Sequence, residues 1–158
     1  MEENKLNKTT DQELLRSLNS TSDSTKNYFM YSPAQLAYAG DAVYELLVRS
    51  YIIHNNDINV NKMHKLSVNF VKANSQAYVI GVLEDELTEE EKRIVKRGRN
   101  AKITSSPKNA EMMEYRYATG FEAVFGYLYL SNDINRLMTL FNRAVSIINE
   151  KDEKNEDN

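Results

Sequence analysis

Apolar residues recur along most of this chain at the three- and four-residue spacing of helices, and the polar breaks between them divide it into segments. Residues 1–27 are rich in Asn, Ser, Thr and Lys and read as a flexible extension. They hold at most a short helix near Thr10–Leu18, with Thr10 and Glu13 as a capping box. Phe29, Met30 and Tyr31 make an apolar lead-in. Ser32-Pro33 then supplies an N-cap and a first-turn proline, which predicts a helix to about Ile53, ended by His54-Asn-Asn-Asp57. From Asn59 to Leu83 the pattern predicts two helices with a bend near Leu66–Asn69. Thr88-Glu-Glu-Glu91 opens a short helix that Gly98 would cap, and a loop covers 99–108. A helix follows from Asn109 to Leu130. The last starts at Asp133, with Ile134, Leu137, Met138, Phe141, Val145 and Ile148 in helical phase.

No segment alternates like a strand. The expected fold is all-α, six to seven helices around a central buried pair, with a domain over 28–150 and a disordered acidic tail over 151–158. At 158 residues the chain suffices for one real core. Acidic and basic residues interrupt every apolar run before it reaches membrane length, and the N-terminal stretch lacks the apolar segment of a signal peptide. There is no cysteine, which excludes disulfides, thiolate metal sites and cysteine nucleophiles and fits a cytoplasmic location without a membrane. With only His54 and His64 as imidazoles, a metal would rest on oxygen ligands. That favours Mg²⁺, with Mn²⁺ as the substitute.

Two acids carry the chemical argument. Asp41 is the only charge in Ser32-Pro-Ala-Gln-Leu-Ala-Tyr-Ala-Gly-Asp-Ala-Val-Tyr44, and Glu122 is alone in Tyr117-Ala-Thr-Gly-Phe-Glu-Ala-Val-Phe-Gly-Tyr-Leu-Tyr-Leu130. Both stretches read as helices apolar on nearly every face, hence buried. An ionised carboxylate is costly there without a counter-charge or a cation. Gly40 and small neighbours flank Asp41, and Ala118, Gly120, Ala123 and Gly126 flank Glu122. Such residues allow helices to approach closely enough for both acids to grip one ion. They would equally serve plain tight packing, with each acid meeting an arginine such as Arg116. Glu45, one turn beyond Asp41, is either a further metal ligand or the partner of Arg49.

The net charge of −3 hides a basic block, Lys92, Arg93, Lys96, Arg97, Arg99, Lys102 and Lys108, uninterrupted by acids. Such a field suits a polyanion. Arg97, Arg99, Asn100, Lys102 and Lys108 are the expected RNA contacts, with Lys62, His64 and Lys65 as weaker candidates.

Leu36-Ala-Tyr-Ala-Gly-Asp-Ala-Val-Tyr-Glu45 resembles the signature helix of the ribonuclease III family, whose Leu-Gly-Asp-Ala/Ser core carries a catalytic aspartate. Lys96-Arg-Gly-Arg-Asn-Ala-Lys102 and Tyr115-Arg-Tyr-Ala-Thr-Gly-Phe-Glu-Ala-Val-Phe-Gly-Tyr-Leu128 are similar to the matching segments of one branch, Mini-ribonuclease III. The resemblance spans about Ser32–Phe141. It implies that Asp41 and Glu122 are catalytic, in a homodimer that cleaves double-stranded RNA with Mg²⁺ and leaves 5′-phosphate and 3′-hydroxyl ends. It further implies a bacterial role in maturing precursor 23S ribosomal RNA, with no double-stranded-RNA-binding domain expected to follow. Ala34, Ala37 and Thr119 stand where the larger enzymes carry further acids, which thins the carboxylate set. Two other readings remain open here: a non-catalytic double-stranded-RNA-binding or ribosome-assembly protein, and an all-α dimerisation protein.

Overall fold

The computed structural model describes residues 12–20, 25–101 and 110–157. Among these residues it contains seven α-helices and no strand. They are α1 (12–18), α2 (Pro33–Asn55), α3 (Val60–Val71), α4 (Ala73–Leu83), α5 (Glu89–Arg99), α6 (Ala110–Leu130) and α7 (Ile134–Glu156), with single 3₁₀ turns at Tyr28–Met30 and Glu84–Glu86.

Local chemistry sets most of the boundaries. The Ser32 hydroxyl accepts from Gln35 N–H at 3.2 Å while Gln35 accepts from Ser32 N–H at 3.0 Å, closing a capping box ahead of Pro33. Thr88 and Glu91 build the same box for α5 at 3.2 and 2.8 Å. Asn59 caps α3 by accepting from Lys62 N–H at 3.0 Å. The break between α3 and α4 falls at Lys72, whose ψ of 146° is extended, and not at the expected Leu66–Asn69. Moving the break brings Ser75 and Gln76 into the buried start of α4.

The core gathers on α6, which packs against α2, α4 and α5. Tyr44 of α2 stands edge-on to Phe121 and Phe125 of α6 at 4.8 and 5.2 Å, and its buried hydroxyl donates to Phe70 O at 3.1 Å. Where α2 crosses α6, backbones touch. A Cβ on Gly40 would collide with the Glu122 carbonyl oxygen, and one on Gly126 with the Leu36 carbonyl oxygen. A second glycine crossing holds α5, since a Cβ on Gly98 would come within 2.7 Å of Gly120 Cα. Gly98 therefore does not cap the helix as expected: α5 runs on to Arg99, and the glycine is there for packing.

Two further expectations change. The short helix expected near Thr10–Leu18 forms over residues 12–18, but it is packed down and not flexible: Leu15 is buried in the core, and Asn19 donates to the Tyr129 carbonyl. At the other end α7 continues to Glu156, through most of the supposed disordered tail. Its last turns are tied down by Asp152, which accepts from Asn69 at 2.7 Å, and by Lys151 over the Tyr78 ring at 4.5 Å.

The two kinds of glycine separate in a substitution test. Gly40→Ala forces backbones apart and is expected to cost at least about 3 kcal/mol. Gly81→Ala, which meets nothing within 4 Å, should stabilise α4 by about 0.5–1 kcal/mol. Urea unfolding midpoints of the two variants check both signs.

Candidate active site and basic face

The glycine crossing of α2 and α6 sets the site. Asp41 follows Gly40, the Glu122 carbonyl is what Gly40 leaves room for, and the two carboxyl groups emerge side by side. Glu122 is half-buried, and its pKa is pushed up to about 7, first by burial and then by the neighbouring Asp41 charge. No arginine or lysine makes an ion pair with either acid among the described residues. Arg116, the counter-charge considered above, makes none, and its buried Nε is unbonded. The amide of Gln76 on α4 is the polar group that eases the Glu122 charge.

Asp41 is solvent-exposed, contrary to the reading of α2 as buried all round. The outer face of that helix is itself apolar, with Tyr38 86% exposed and Ile53 62% exposed, so composition alone could not tell outside from inside. The pair thus runs from open solvent into the core edge. Glu45 does not join it. Its carboxylate is taken by Arg49 at 2.5 Å, and no cluster of three or more acids, histidines or cysteines suited to a metal occurs among the described residues. Thr119 turns back to donate to the Tyr115 carbonyl at 3.0 Å. Sequence reasoning missed Gln76, although a signal existed: it is in helical phase with Val79, Ile80 and Leu83, a polar residue on the apolar face of α4.

The basic block divides once its helical phase is seen. Arg97 points inward, donating to the Phe29 and Tyr31 carbonyls at 2.5 and 2.7 Å and lying 5.4 Å from the Phe29 ring centre. It latches the turn before α2 onto α5, which corrects its expected role as a phosphate contact. Arg99 is half-buried over the Tyr117 ring at 5.4 Å and donates to its hydroxyl. Asn100 is exposed at the end of α5, as are Arg93 and Lys96 on its outer face. Lys62, His64 and Lys65 are exposed on α3. Lys102 and Lys108 lie outside the described residues.

Residues 34–133, a span that holds both acids and the basic helix, match the family model described as the ribonuclease III domain. The chain belongs to the ribonuclease III family. A "Mini-ribonuclease 3" of Clostridium tetani is 47% identical over 80% of this chain and 85% of its own length. One from Enterococcus faecalis is 38% identical over 82% of this chain and 99% of its own. In structure, the chain resembles a crystallised Fusobacterium nucleatum protein at a TM-score of 0.67, with 32% identity, covering 74% of this chain and 93% of that one. This ribonuclease III family member is therefore an endoribonuclease of the ribonuclease III type, and the family's substrate class is double-stranded RNA. That settles the open alternatives in favour of an enzyme. Among the described residues no helix is long and apolar enough to cross a membrane.

The raised pKa of Glu122 has a stability consequence. The folded protein holds this proton more tightly than the unfolded chain, so stability falls as pH rises from about 4.5 to about 7. Glu122→Gln mimics the protonated form. At pH 8 it should stabilise the metal-free protein by up to about 3 kcal/mol, at ~1.4 kcal/mol per pKa unit, with no gain at pH 4. Thermal melts across that range decide it; a loss of stability at pH 8 would mean that Glu122 is well compensated.

Proposed function

We propose that this ribonuclease III family member is a Mg²⁺-dependent endoribonuclease in which Asp41 and Glu122 are the catalytic pair and hold the cation. The observation that carries the reading is a half-buried glutamate pressed against an aspartate with no basic partner among the described residues. Such an arrangement stores repulsion that a small divalent cation relieves. The donors present fit that cation: hard carboxylate oxygens, few enough to leave room for waters and phosphate oxygens. When bound, it supplies an activated water and charge stabilisation at the scissile phosphodiester. Asp41, at the solvent edge, and Glu122, at the core edge, orient that assembly on two rigid helices. Hydrolysis that breaks the P–O3′ bond leaves 5′-phosphate and 3′-hydroxyl ends.

The duplex is gripped through its phosphates by Arg99, Asn100, Lys102 and Lys108, with Lys62, His64 and Lys65 in support. A-form RNA hides its base edges in a deep major groove, so recognition is of shape. The working unit is a homodimer. Tyr38, Ala42, Leu46 and Ile53 make an exposed stripe along α2 beside Asp41, suited to cover by a second copy. Its resemblance to Mini-ribonuclease III points to precursor 23S ribosomal RNA in a bacterial cytoplasm as the substrate.

Purified protein incubated with a perfect RNA duplex should cut it only with Mg²⁺ or Mn²⁺ and leave 5′-phosphate ends. Asp41→Asn and Glu122→Gln should each lower cleavage by orders of magnitude while RNA affinity stays put. Wild-type cutting by either variant would end the assignment. Tyr38→Asp should shift the sedimenting species from dimer to monomer.

A further inference from the structure

Gln76 sits in the first turn of α4, four residues past the Lys72 break, and is 1% exposed. Val79, Ile80 and Leu83, which share its helix face, are buried and apolar. An amide in such surroundings is costly unless its donors are met. Yet Nε2 of Gln76 has no hydrogen-bond partner among the described residues. The amide lies beside Glu122 closely enough to favour that residue's charged form, but stops short of a hydrogen bond. Native interiors seldom leave a donor in this state. One beside a half-buried carboxylate marks a bond that tightens when the site is loaded.

We propose that Gln76 is the positioning residue for Glu122, its Nε2 donating to that carboxylate and fixing its orientation toward a divalent cation. The inference rests on the reading of Asp41 and Glu122 as a cation-holding pair. Asp41 accepts but cannot donate when ionised, and among the described residues no basic side chain pairs with Glu122, which leaves Gln76 as the donor within reach there. Its neutrality matters. An arginine in this place, as Arg136 is for Glu91, would neutralise the acid and compete with the cation. A neutral amide orients the carboxylate and leaves its whole charge for the ion.

The test is Mn²⁺ binding to the free protein, followed by electron paramagnetic resonance without RNA. Gln76→Met keeps the length and removes the donor; Gln76→Ala does so with a smaller side chain and serves if Met does not fit. Either should weaken Mn²⁺ binding by about 10–100-fold, the usual effect of losing a hydrogen-bond partner of a metal-ligating carboxylate. The metal-free melting temperature of Gln76→Met should hold or rise, and its cleavage rate should recover toward wild type at saturating Mn²⁺. A packing control, Val79→Ala, should lower the melting temperature and leave Mn²⁺ affinity unchanged. Wild-type Mn²⁺ affinity in the Gln76 variants would overturn the assignment and leave Gln76 as filler. Undiminished binding in Asp41→Asn and Glu122→Gln would instead bring down the pair itself, a failure the Gln76 variants alone do not produce.

Discussion

Backbone contact between α2 and α6 at Gly40 and Gly126 governs what surrounds it. Because neither residue carries a Cβ, the helices meet carbonyl against amide, and the side chains next to the contact are displaced to its rim. Asp41 and Glu122 occupy one stretch of that rim. Their carboxylates cannot drift far apart, since each is only two or three bonds from a backbone that the core clamps. Tyr44, Phe121 and Phe125 supply the clamp just beneath, in edge-to-face contacts that tolerate little slippage. Proximity of like charges is therefore imposed by packing.

A second buried glutamate shows what the protein does when it wants an acid quiet. Glu91 is 2% exposed, deeper than Glu122, yet its pKa is lowered. Burial pushes it up, but Arg136 at 2.8 Å and Thr88 N–H at 2.8 Å outweigh that and hold it charged. The result is a strut between α5 and α7. Glu122 has Asp41 where Glu91 has an arginine, and the sign of the shift reverses. The contrast sets Glu122 apart without reference to any relative, because the same residue type in the same core is treated in opposite ways.

Helix starts were legible because their signals are local: Ser32-Pro33, Asn59, Thr88 with Glu91, and Asp133 all cap as their chemistry requires. The α2–α6 approach was legible from its small residues. What escaped depends on how each side chain meets its neighbours in the fold. Arg97 sits within a run of cations, and only its phase with Ile94 and Gly98 turns it inward. Gly98 looks like a cap until Gly120 is placed against it. The exposure of Asp41 was hidden because α2 is apolar on its outer face as well as its inner one. Gln76 was passed over as one polar residue among many, since its isolation is a property of what packs round it.

The Gly98–Gly120 lock has a consequence for how this enzyme can change. It joins the basic helix to the acid-bearing helix directly, backbone against backbone. Changes on the outer face of α5, at Arg93, Lys96 or Asn100, thus leave this backbone contact and the crossing of α2 with α6 in register. A surface that can vary and a crossing that cannot are thus separate parts of one fold, and selection, natural or in the laboratory, is free to tune the first without disturbing the second.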